Sequence, residues 1–112
     1  MKNVFLKVFV SGRGEIDEVE KIESSYKGIV REAKKLFKEM RKEDGAEYVR
    51  EFCSIDVFED KGVVYVNCNE EETEYYIDCS MYEDDCEKLL EYYRNEKVDE
   101  FNDLMMKFWD FY

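Results

Sequence analysis

The chain contains no histidine, so it cannot assemble a Ser–His or Cys–His nucleophile or an imidazole metal ligand. The side chains left for polar chemistry are four cysteines, Cys53, Cys68, Cys79 and Cys86, and a dense set of carboxylates. No two cysteines form a C-x-x-C pair, so a zinc site would have to draw on scattered strand positions. Their spacing along the strands reads instead as small buried apolar residues, with Cys53 opposite Cys68. The carboxylates concentrate in residues 69–87, NEEETEYYIDCSMYEDDCE, where nine acids occur without a single Lys or Arg. Pairs such as Glu70 and Glu72 have the chemistry of acid–base partners or calcium ligands. The ordered D-x-[DN]-x-[DN]-G spacing of a calcium loop is missing, however, and no apolar pocket can be placed beside them. The G-x-G in SGRGE lacks the remaining glycine or lysine of a phosphate loop and reads as a turn. The expectation is a protein that is not an enzyme and that uses neither metal nor cofactor.

Charge points to a different use. The formal net charge is −12, and residues 51–112 hold 19 acids against 5 bases, or −14, so this half carries the whole excess. Such a surface disfavours nucleic acid and anionic lipid and favours a basic protein partner. The candidate partner-binding set is Glu70, Glu71, Glu72, Glu74, Asp78, Glu83, Asp84 and Asp85, with Tyr76 as an aromatic anchor among them. A plainer reading is a solvated loop followed by acids that favour a helix N-terminus. That reading accounts for Glu83, Asp84 and Asp85 but poorly for the absence of any base between Lys61 and Lys88.

The elements that position these groups follow from periodicity. NVFLKVFV (3–10) alternates, with Val4, Leu6, Val8 and Val10 on one face and Phe5, Lys7 and Phe9 on the other, which predicts an interior strand. From Asp17, with Glu20 completing a capping box, the apolar positions Val19, Ile22, Tyr26, Ile29, Val30, Ala33, Leu36, Phe37 and Met40 predict one long helix ending near Gly45. Its outer face carries Lys27, Arg31, Lys34, Lys35, Lys38, Arg41 and Lys42, with i,i+4 ion pairs expected to Glu32 and Glu39. YVREFCSIDVF, VVYVNC and EYYIDC then read as a three-strand meander. Its first turn sets Cys53, Ile55, Val57, Val64, Val66 and Cys68 on one face. The same parity carried across the acidic turn adds Tyr75, Ile77 and Cys79 to that face and turns Tyr65, Tyr76 and Asp78 outward. Ser80 and Glu83 form a second capping box, opening a helix that breaks at Asn95 and resumes to the aromatic C-terminus. The sum is a single α+β domain over residues 1–112, ordered β-α-β-β-β-α(α), with an antiparallel sheet and its helices mainly on one face.

No stretch approaches the roughly 18 apolar residues of a membrane span, and the N-terminus lacks a signal peptide's apolar run. With four cysteines, this places the chain in a reducing cytoplasm. Two alanines, no proline and abundant Lys, Asn, Tyr and Phe suggest an AT-rich genome such as that of a phage or its host.

Over residues 46–112, an acidic helix, three-strand meander and helix unit with NEEETE at a strand turn and YEDDCE entering the next helix resembles the small phage-encoded anti-CRISPR proteins. The resemblance is one of architecture and charge, and the N-terminal strand and basic helix depart from it. It implies an acidic nucleic-acid mimic that fills the basic groove of a CRISPR effector nuclease, at the site where arginines read the protospacer-adjacent motif. The target would then lie in the host-cell cytoplasm. Two other readings stand beside it: an immunity protein or antitoxin neutralising a basic nuclease toxin, and a small metal-binding domain or enzyme. A homodimer in which the basic helix meets the acidic half of a second copy is a further expectation.

Overall fold

The computed structural model describes residues 3–11, 15–47, 53–68 and 72–109. In chain order they form β1 (Asn3–Val10), β2 (Ile16–Ser24), α1 (Tyr26–Asp44), β3 (Cys53–Phe58), a 3₁₀ turn (Glu59–Lys61), β4 (Val63–Cys68), β5 (Glu72–Asp78), α2 (Glu83–Arg94) and α3 (Val98–Trp109). The described strands make one antiparallel sheet in the order β2-β1-β5-β4-β3. The α+β class and antiparallel sheet are those read from the sequence. No described helix is long and apolar enough to cross a membrane.

β2 is the element that helical periodicity concealed. Residues 16–24 are a strand paired with β1, and the helix begins only at Tyr26. Ile16, Val19 and Ile22 recur every three residues, which imitates a helix stripe. In the strand, Val19 and Ile22 point to opposite faces, and each contributes to a different core. The pairing steps from Phe9↔Glu18 to Val10↔Ile16, so Asp17 is an extra residue that returns Ile16 to the Val19 side. Ser25 caps α1, its hydroxyl accepting the Gly28 N–H at 3.1 Å, while its carbonyl accepts the Ile29 N–H at 2.9 Å. The helix ends at Gly45, whose φ of +94° suits glycine.

The sheet is covered on both faces. On one, Leu6, Val8, Val10, Val63, Tyr65, Tyr75 and Ile77 pack with Cys86, Leu89 and Leu90 of α2 and Phe101, Met105 and Phe108 of α3. On the other, Phe5, Val64, Val66 and Tyr76 pack under Ile29 and Ala33 of α1, with Leu36 and Phe37 at the margin. The helices therefore divide two to one between the faces. Interior strands with apolar groups on both sides, as β1 showed, require such a second layer.

The β3–β4 register is the expected one, with Cys53 opposite Cys68, Ile55 opposite Val66 and Val57 opposite Val64. The next hairpin differs. Cys68 pairs with Glu72, enclosing three residues, and Tyr65 faces Tyr75 while Val64 faces Tyr76. An odd connection reverses the expected parity, and a one-residue slip turns every side chain over. Tyr75 and Ile77 thus join the α2–α3 core. Tyr65 stacks between Phe58 and Tyr75, with ring centroids 6.0 and 5.9 Å away. Tyr76 goes beneath α1.

Candidate partner-binding surface

The register settles where each candidate side chain lies. Glu70 and Glu71 fall outside the described residues, and Glu72 opens β5. Glu74 is half-buried. It accepts the Tyr76 hydroxyl at 2.7 Å and pairs with Lys7 at 3.9 Å, and Lys7 also reaches Glu20 at 4.0 Å. Tyr76 is 3% exposed and Asp78 3% exposed, so neither belongs to an outer face. Their outward placement rested on the parity that the three-residue connection reverses.

Asp78 has a structural task. Its Oδ1 accepts the Ser80 N–H at 2.9 Å and the Ser80 hydroxyl at 2.6 Å, while its Oδ2 accepts the Tyr26 hydroxyl at 3.3 Å. The Asp78 carbonyl accepts the N–H groups of Met81 and Tyr82. Because Asp78 captures Ser80, the expected Ser80–Glu83 capping box does not form, and α2 starts after Tyr82 with no side-chain cap. Burial, with the Asp78 carboxylate next in weight, pushes the Tyr26 phenol far above its ordinary value. The hydroxyl therefore stays a donor.

Glu83 and Asp84 are exposed at the start of α2, where the helix dipole favours them. Asp85 is committed to Lys107 of α3, whose ammonium also lies 5.0 Å from the Tyr82 ring centre and 5.8 Å from that of Phe108. Along β5, Thr73 and Asp78 are five residues apart, about 17 Å of strand. Glu74 and Glu83 therefore lie toward opposite ends of the sheet, and the acids described between them do not form one continuous surface.

A coherent acidic surface does exist, one strand away. α2 lies beside edge strand β2, and Lys21 of β2 lines two open hollows with α2 residues. One, of about 360 Å³, includes Glu83 and Glu87; the other, of about 380 Å³, includes Glu87 and Glu91. Glu83, Glu87 and Glu91 follow at i,i+4, so their carboxylates repeat about every 6 Å along the exposed side of α2. On β2, Glu23 shares the Lys21 face and Asp17 stands exposed at the bulge, whereas Glu18 and Glu20 alternate to the α1 face with Ile22. Among the described residues, Glu83, Glu87, Glu91, Asp17, Glu18 and Glu23 form no ion pair. Sequence reasoning missed the β2 acids because it assigned them to a helix. Their signal was five acids against Lys21 alone in residues 15–23.

The two outer layers carry opposite charge. α1 has seven bases and four acids (+3), whereas residues 83–109 have four bases and nine acids (−5). Lys27, Arg31, Lys34, Lys35, Lys38, Arg41 and Lys42 are all exposed, and the expected i,i+4 pairs to Glu32 and Glu39 are absent among the described residues. The described residues hold no group of three or more Cys, Asp and Glu placed to bind a metal. Cys53, Cys79 and Cys86 are free thiols. No protein-family model, curated protein or solved structure matches the chain.

Proposed function

We propose that this protein is a non-enzymatic inhibitor that occupies the basic nucleic-acid groove of a nuclease, in the manner of anti-CRISPR proteins that act on RNA-guided effectors in the host-cell cytoplasm. The observation that carries the reading is the stripe Glu83–Glu87–Glu91 beside the acidic edge of β2, whose carboxylates lack cationic partners among the described residues. Carboxylates at a regular spacing, in excess over the Lys21 and Arg94 that line the same hollows, attract Lys and Arg clusters that otherwise hold phosphates, and they release those clusters' counterions as nucleic acid does. The contact set moves from the 69–74 turn to Glu83, Asp84, Glu87 and Glu91 of α2 with Asp17 and Glu23 of β2. Tyr76 and Asp78 support the fold from the α1 side of the sheet.

The test is inhibition of DNA cleavage by purified RNA-guided nucleases, comparing wild type with the triple variant Glu83→Gln, Glu87→Gln, Glu91→Gln at two salt concentrations. Wild type should inhibit at least one nuclease, with affinity falling roughly tenfold or more as salt is raised from about 50 to 200 mM. The variant should lose most of that inhibition while keeping its unfolding midpoint. Equal inhibition by both proteins would remove the acidic surface from the mechanism, and no inhibition across the panel would remove the RNA-guided target. A basic toxin nuclease inhibited in place of the panel would identify an immunity protein using the same surface.

A further inference from the structure

Cys79 and Cys86 are two of the described free thiols, and they share one core cluster and the lining of one hollow where β5 hands over to α2. The Cys79 N–H donates to the Val4 carbonyl at 2.9 Å, which fixes the turn against β1, while Cys86 sits on the first turns of α2. Both side chains belong to one core cluster, Cys79 8% and Cys86 1% exposed. Both residues line the hollow of about 360 Å³ that also holds Lys21 and Ser80 and is open to solvent. Cys53 stands on β3, the opposite edge of the sheet.

We infer that Cys79 and Cys86 form a peroxide-reactive dithiol, with Cys79 as the attacking sulfur, Cys86 as the resolving sulfur and a small hydroperoxide entering through the Lys21 hollow as the oxidant. The asymmetry of the pair assigns the roles. Cys79 is the more exposed of the two at the hollow and Cys86 is enclosed. The neighbouring Cys86 thiol draws the Cys79 thiol below its ordinary value, with the Lys21 ammonium acting in the same direction against burial and the Asp78 and Glu83 charges. The Cys79 side chain beside it, together with burial, pushes the Cys86 thiol up.

In the first step the Cys79 thiolate attacks the terminal oxygen of the hydroperoxide. The O–O bond breaks, the alkoxide takes the proton that Cys79 gave up, and an alcohol leaves. Cys79 is then a sulfenic acid. In the second, the Cys86 sulfur attacks the Cys79 sulfur, the S–O bond breaks, and hydroxide leaves with the Cys86 proton as water. Two thiols and one hydroperoxide give one disulfide, one alcohol and one water. Sulfur loses two electrons and the peroxide gains two. Closure makes a sulfur–sulfur bond of ~2.05 Å between positions seven residues apart, within one turn and the start of one helix. A dithiol reductant reverses it by exchange.

The experiment uses the full chain with Cys53→Ser and Cys68→Ser, reduced, treated with hydrogen peroxide at neutral pH and read by intact mass and peptide mapping. The expected product has lost the mass of two hydrogens, contains a Cys79–Cys86 link and regains both thiols with a dithiol reductant. Adding Cys86→Ser should stop the reaction at a Cys79 sulfenic acid that dimedone captures, whereas adding Cys79→Ser should leave Cys86 unmodified. Lys21→Gln should slow the reaction roughly threefold or more. If a serine variant does not fold, mapping of the otherwise unaltered pair decides. An unchanged mass, or oxidation of either sulfur without the intramolecular link, overturns the inference. The readout is independent of nuclease inhibition, so the two proposals fail separately.

Discussion

The Tyr26 hydroxyl donates to Asp78 Oδ2 at 3.3 Å, joining the first turn of α1 to the end of β5 across 52 positions of chain. The same carboxylate holds Ser80 through its other oxygen, so one buried side chain links the layer above the sheet to the turn that starts the layer below. Removing it leaves the Ser80 N–H and two hydroxyls without their acceptor. Asp78→Ala should cost about 3 kcal/mol, and Asp78→Asn, which keeps the shape and one acceptor, about half as much. Urea unfolding checks both; a cost under about 0.5 kcal/mol for alanine would show that the link contributes nothing net.

Alkaline pH should act on the same link. The Tyr26 phenol is raised above its ordinary 10.0, mainly by burial and then by the Asp78 charge. The unfolded chain therefore ionises this phenol before the folded chain does. Its contribution is complete below about pH 10 and is lost as pH rises beyond that value toward the folded one. Between pH 9 and 11.5 the urea midpoint of wild type should fall more steeply than that of Tyr26→Phe, with the two slopes equal if the phenol is not shielded.

Tyr76 separates the observed register from the expected one. Buried beneath α1, it should cost about 3–5 kcal/mol when changed to alanine and about 1 kcal/mol when changed to phenylalanine, which loses only the hydroxyl bond to Glu74. An outward anchor would show the reverse, with near-wild-type stability for alanine and a large loss of partner binding.

Gly62 tests the hairpin that the sequence read correctly. Its φ is +68°, its carbonyl accepts the Asp78 N–H at 2.7 Å, and an added Cβ would lie 2.8 Å from Met81 Sδ and 3.1 Å from the Tyr82 ring. Gly62→Ala should cost about 1–2 kcal/mol from the left-handed backbone alone, with the Met81 contact adding to it. A stability change near zero in thermal and urea unfolding would contradict that geometry.

How much of this was legible depended on whether a pattern had one physical source. The alternation of Leu6, Val8 and Val10 against Phe5 and Phe9 has only a strand behind it, and the β3–β4 pairing followed from keeping Ile55, Val57, Val64 and Val66 together. The series Val19, Ile22, Tyr26, Ile29 had two sources. Two strand residues facing opposite cores ran without a break into a helix stripe, and Ser25, whose cap marks the true start, looked like an irregularity. Beyond Cys68, parity depended on the length of one turn, which composition does not encode. For the surface, Glu83 and Asp84 were found because helix starts have a signature. Glu87, Glu91 and the β2 acids become a surface only once β2 is a strand beside α2.

The opposite charges of the two outer layers give the domain a dipole across the sheet, from the α2–α3 side to the α1 side. In the field of a basic cleft this dipole would experience a torque that turns α2 foremost and leaves α1 trailing before contact. A partner plugged in this way would have its entrance closed by negative charge, yet the complex would show the exposed lysines and arginines of α1 on its outside. On the proposed function, the blocked groove would thus stay capped by a cationic wall, and polyanions drawn to the complex would accumulate on the α1 side instead of competing for the α2 side.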